Sequence, residues 1–141
     1  MIAKYEVIIY PLAKKDIQDI YKYIYYELRN VIAANKLMER LKEKMENLRF
    51  FPLSFPVVDN EYIKYKGIRK VIVDSYIIFF RVYDKEVQIL RVIYSKINYK
   101  GIIINGILDE KIWFIFDFLI WITYTNSARY KSRIANLSLI S

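Results

Sequence analysis

Within the nine residues RVIYSKINY, Arg91 to Tyr99, stand Arg91, Tyr94, Lys96 and Tyr99, side chains that can hold a phosphate or move a proton. Arginine and lysine stabilise negative charge as it develops on a reacting phosphoryl group, and a phenol or an amine can serve as acid or base. Arg69, Lys70 and Arg81 lie shortly upstream. All belong to a basic segment: residues 62–101 carry nine Lys/Arg against three Asp/Glu, whereas residues 1–61 carry ten against nine. Most of the net charge of +8 is therefore concentrated in one stretch. Such a patch attracts a polyanion, either nucleic acid or an acidic protein, and its plain alternative is a solvated basic sheet face.

Composition narrows the chemistry. The 141 residues contain neither Cys nor His. That removes zinc sites, Ser-His-Asp triads, Cys-His pairs and disulfide scaffolds, and no metal or cofactor is expected. It also suits a reducing compartment. MIAKYEVIIY lacks the apolar core of a signal peptide. The longest apolar run, Ile112 to Ile122, is eleven residues with Asp117 at its middle, well short of the ~20 that span a bilayer. A cytoplasmic protein with no membrane span is expected, and an apolar content of 55% is ample for one core.

The basic residues need elements to position them. YEVIIY, Tyr5 to Tyr10, is β-branched and aromatic and reads as a strand ended by Pro11. Ile17, Ile20, Ile24 and Leu28 then step by three and four, one face of a helix, with Asp16 and Asp19 complementing its dipole and Asn30 as its terminator. Ala34, Leu37, Leu41, Met45 and Leu48 repeat the spacing, so a second helix follows and the two should form an antiparallel hairpin. Residues 51–66 hold two of the three prolines and read as a loop. Three strands follow, Ile68 to Val73, Tyr76 to Tyr83 and Val87 to Tyr94, with reversals at Asp74-Ser75 and Asp84-Lys85-Glu86. The expected fold is α+β, with order β-α-α-β-β-β and a helical hairpin packed on one face of a small, mainly antiparallel sheet. Depending on register, some of Arg69, Arg81 and Arg91 share the open face.

The opening YEVIIYPLAKKDIQDIYKYI, the helix close ERLKEKMENLRFFPLSFP and the strands GIRKVIVDSYIIFFRVYDKEVQILRVIYSK together resemble the RelE/ParE superfamily of bacterial toxins, over about the first hundred residues. The resemblance implies the toxin of a type II toxin-antitoxin pair, neutralised by a cognate antitoxin and meeting operator DNA only through it. RelE-like members cut mRNA on the ribosome, and ParE-like members inhibit DNA gyrase.

A metal-free nuclease of this kind needs a base for the 2′-hydroxyl, an acid for the leaving oxygen and cations for the phosphorane. The tentative catalytic set is Arg81, Arg91, Lys96 and Tyr99, with Arg69, Lys70, Arg81, Arg91 and Lys96 as the target- or nucleic-acid-binding residues. Against the family pattern, Lys70 matches a lysine but Ile77 stands where an arginine is usual. Without His the base must be Glu, Lys or Tyr, and unperturbed Lys or Tyr is deprotonated in roughly one molecule in a thousand at neutral pH. Tyr94 reads equally as an aromatic packing at a strand end. Gyrase inhibition needs no proton transfer, so it is the expected activity; the alternatives are the ribosome-dependent nuclease and an inactive member that only binds its antitoxin.

The resemblance stops near Gly101, which divides the chain into a toxin domain, residues 1–101, and an apolar extension, residues 102–141, with a helical pattern around 110–124. Three accounts of the extension compete: a cover for the sheet or the antitoxin groove, a surface for a partner or membrane, or sequence read past a frameshift or lost stop codon. The abrupt loss of family pattern favours the last.

Overall fold

The computed structural model describes residues 4–61 and 66–97. Tyr99 and the extension 102–141 lie outside the described residues. The elements are β1 (Glu6–Ile9), α1 (Pro11–Lys22), a π-helical segment (Tyr23–Glu27), α2 (Val31–Asn47), a short 3-10 turn (Pro52–Ser54), β2 (Arg69–Val73), β3 (Tyr76–Tyr83) and β4 (Glu86–Tyr94). They form one four-stranded sheet in the order β1-β4-β3-β2, with β1 parallel to β4 and the other pairs antiparallel. This is the α+β arrangement expected, with the meander's last strand inside the sheet rather than at its edge.

Both helices pack on one face. Ile17 and Ile24 from the first helical stretch join Ala34, Leu37, Met38, Leu41, Met45 and Leu48 against Val7, Ile9, Val71, Ile78, Phe80, Val87, Ile89 and Val92 of the strands. The strand residues alternate, as the two-residue period of a pleated strand requires. On β4 the alternation is reset. Phe79 pairs with Arg91 and Phe80 with Ile89, so Leu90 is an extra residue, a β-bulge. The reversals carry Asp74 at φ 52° and Asp84 at φ 53°, a left-handed conformation that Asp tolerates better than most residues.

Two helix-end expectations are corrected, and Pro11 has a second role. Pro11 opens α1 as well as ending the strand, because its missing N–H is an orphan in a first turn anyway. Helix α1 thus starts early enough to leave Asp16 and Asp19 beyond its first turn, which holds no acidic residue. The first helix does not end at Asn30. After Lys22 the hydrogen bonding widens, with Leu28 N–H donating to Tyr23 C=O at 3.0 Å and Asn30 N–H to Ile24 C=O at 3.1 Å. The wider turn rotates Leu28 off the apolar stripe, and it is 56% exposed while Ile24 is buried. Arg29 reverses the chain at φ 50°. Asn30 is left to cap α2, its Oδ1 accepting from Ala33 N–H at 3.0 Å.

Candidate functional site

Where β1 ends, β4 runs on beside β3 with its other edge facing no strand among the described residues, and the bulge at Leu90 sits at this point. The carboxylate of Asp16 fills the gap from α1. Arg91 Nε donates to its Oδ2 at 2.7 Å and Nη2 to its Oδ1 at 2.9 Å, and the Val92 N–H donates to Oδ2 at 3.1 Å. One side chain thus continues the ladder and holds a bidentate ion pair, a geometry stronger than a single charged hydrogen bond. The pair is largely shielded, with the two side chains 19% and 15% exposed. Arg91 is turned toward α1.

Arg81 lies on the sheet face away from the helices. Its Nε donates to Gln88 Oε1 at 2.5 Å and its Nη2 to the Tyr10 hydroxyl at 3.5 Å, while Gln88 Nε2 donates to Glu86 Oε2 at 3.2 Å. The register explains the set: Gln88 stands between Ile8 and Arg81 on neighbouring strands. Gln88 is a buried polar residue at 5% exposure, and its amide is satisfied at both ends, as burial demands.

Arg69 is on the opposite, helix-side face. Its Nη1 donates to the carbonyls of Phe55 at 2.5 Å and Leu53 at 3.3 Å. It ties down the loop whose Phe55 ring meets Phe80 edge-on at 6.0 Å. Lys70 projects to the other face, paired with Phe79 and one diagonal step from Arg81. Lys96 is exposed in the turn after β4. Lys70 and Arg81 therefore share a face, Arg69 does not join them, and Arg91 is drawn aside by Asp16.

Among the described tyrosines, Tyr10 accepts from Arg81, while the candidate Tyr94 is engaged with a neighbouring ring. Tyr94 packs its ring against Tyr76 at 5.5 Å, the strand-end packing the sequence allowed for. The Tyr76 hydroxyl is pushed above the usual value of 10.0, first by burial and then by the neighbouring Tyr94 and Tyr23. Burial first, then Tyr25 and Tyr26, likewise raises Tyr21, whose hydroxyl donates to Asn35 Oδ1 at 3.4 Å. A raised phenol is a weaker acid and reaches its basic form less often at neutral pH. Among the described residues no cluster of acidic side chains is placed to hold a metal ion.

Sequence reasoning missed three features. Asp16 looked like a dipole-complementing residue, and its partner is 75 positions away. Gln88 carried a signal, an uncharged polar residue inside VQILRV. The third is a cleft between α2 and β1, enclosing about 440 Å³ with the solvent at its mouth included. Its walls are Val7, Ile9, Ile17, Met38, Leu41 and Met45; Lys42, Glu46 and Arg49 complete the lining. The Nε of Arg49 is buried there without a hydrogen-bond partner.

Comparison with known proteins adds family to fold. The sequence matches no curated protein. The structure resembles one described as the chromosomal ParDE TA system from P. aeruginosa, with a TM-score of 0.56 and 23% identity, over 67% of this chain and 99% of that one. That likeness establishes the fold. The family model described as the ParE toxin of type II toxin-antitoxin system, parDE, matches residues 7–99, the span that holds the sheet, both helices and every cation discussed above. The chain belongs to the ParE toxin family of type II toxin-antitoxin systems.

Proposed function

We propose that this chain is the toxin of a pair with a cognate antitoxin, and that it acts in the cytoplasm by binding DNA gyrase rather than by cutting RNA. The observation that carries this reading is the use made of its arginines. A metal-free nuclease needs cations, acid and base converging on one phosphate. Here the guanidinium donors of Arg91 and Arg81 are directed at Asp16, Gln88 and Tyr10 within the fold. Inhibition by binding needs only complementary shape and charge, and the basic segment that includes Lys70 and Lys96 supplies the charge.

The cleft beside β1 is the site we assign to the antitoxin. It combines an apolar floor with a buried guanidinium nitrogen that lacks an acceptor. An extended or helical antitoxin segment bearing an apolar side chain and a carboxylate or carbonyl oxygen would satisfy both.

The test is direct. Purified chain added to gyrase and relaxed plasmid should block supercoiling, and its induction in cells should produce filaments and DNA-damage signalling with intact mRNA. Rapid arrest of protein synthesis with cleaved mRNA would overturn the gyrase reading in favour of the nuclease.

A further inference from the structure

The end of the helical hairpin presents apolar side chains to solvent. Tyr23, Tyr26, Leu28, Val31 and Ile32 are each between 43% and 70% exposed, and all fall within ten consecutive residues that hold the π-helical segment, the reversal and the first turn of α2. Their exposure is set by the backbone. The wide turn after Lys22 carries Leu28 outward, and Arg29 reverses the chain in the left-handed region at φ 50°, a conformation that costs a residue with a Cβ about 1–2 kcal/mol. Large apolar side chains gathered this way mark an interaction surface. The charges around them define the partner. Residues 19–32 hold two Lys/Arg and two Asp/Glu, so the tip is neutral while most of the net charge of +8 lies in residues 62–101. A polyanion has no net charge to seek there. Glu27 and Arg29 flank Leu28 directly and are exposed, and among the described residues neither has an ion-pair partner. An acid and a base on either side of an apolar centre are self-complementary, because a two-fold axis sets each against the opposite charge of the other copy.

We propose that the hairpin tip is the contact through which two copies of this chain associate, with Leu28 near the two-fold axis and Glu27 of each copy against Arg29 of the other. At roughly 200 Å² for a large apolar side chain, the five expose on the order of 500 Å² per copy, below the about 800 Å² per partner of a standard interface. The dimer is therefore weak and forms as concentration rises. The cleft assigned to the antitoxin uses α2 from Met38 onward, past the tip, so association leaves that cleft open.

Sedimentation velocity on the full chain, from low micromolar to sub-millimolar concentration, tests this. The expected result is a weight-average mass that climbs from one chain toward two. Leu28→Asp should hold the mass at one chain throughout. Glu27→Arg and Arg29→Glu should each raise the dissociation constant at least about tenfold by setting like charges together, and the double variant Glu27→Arg with Arg29→Glu should restore it. The three positions are exposed, so the far-ultraviolet circular dichroism of every variant should match the unaltered protein. A single-chain mass of the unaltered protein at every concentration would overturn the proposal, as would a dimer indifferent to Leu28→Asp or a mass that grows past two chains. A double variant as weak as the single ones would overturn it too. None of these readouts depends on toxicity, so the gyrase reading and this one can fail separately.

Discussion

Arg91 illustrates how a side chain suited to chemistry can be committed to structure. Its guanidinium and the Val92 N–H share one carboxylate, that of Asp16, in a site with limited solvent access. Breaking a fully buried pair costs roughly 3–5 kcal/mol, and partial exposure brings the expected loss here to about 1–3 kcal/mol. Asp16→Ala should cost more than Asp16→Asn, which can still accept from Val92; urea unfolding midpoints give the comparison. Tyr76 makes a second prediction at this scale. Its folded-state pKa is raised, so the folded state holds its proton more tightly than the unfolded chain. The stability from this group is complete below pH 10 and is lost as the pH rises from there through the folded value. Tyr76→Phe should flatten that alkaline loss in thermal melts taken across the range. The identity of the candidate residues was legible from type and spacing. Their partners were not, because Asp16 and Arg91 are brought together by the packing of α1 on β4.

The elements followed the hydrophobic period closely wherever the backbone kept a regular helix or strand. Ala34, Leu37, Leu41, Met45 and Leu48 are all buried, as their spacing predicts. The period failed at Leu28, where the π-helical segment inserts extra backbone into the turn and carries the side chain into solvent. Asn30 was recognised as a boundary but assigned to the wrong helix. The polarity of its cap depends on Arg29 taking the left-handed position before it. Asn30→Ala should remove the bond to Ala33 N–H and cost about 1 kcal/mol, whereas a residue that merely ended the preceding helix in an exposed turn would be close to neutral. Differential scanning calorimetry can separate the two. The β-bulge at Leu90 was invisible in the sequence, since VQILRVIY gives no break in its apolar pattern.

For the whole molecule, the proposed function uses two surfaces on different sides of the sheet: the cleft beside α2 for the antitoxin, and the face that carries Lys70 and Arg81 for the target. Arg49→Ala should weaken antitoxin binding by about 1.5–3 kcal/mol, the range for a hydrogen bond to a charged group, with the fold retained because Arg49 Nε has no partner to lose within the chain. Titration calorimetry with the cognate antitoxin measures it. An unchanged affinity would place the antitoxin elsewhere. Composition alone removed histidine and cysteine chemistry, and local periodicity was enough to find two helices, four strands and their order along the chain, because those properties depend on neighbours a few residues away. Which cations share a face and which are bound within the fold came from the strand pairings and the shift at Leu90. Those are contacts between segments up to eighty residues apart; a one-residue change in register sends every following side chain to the opposite face, and no local pattern records it.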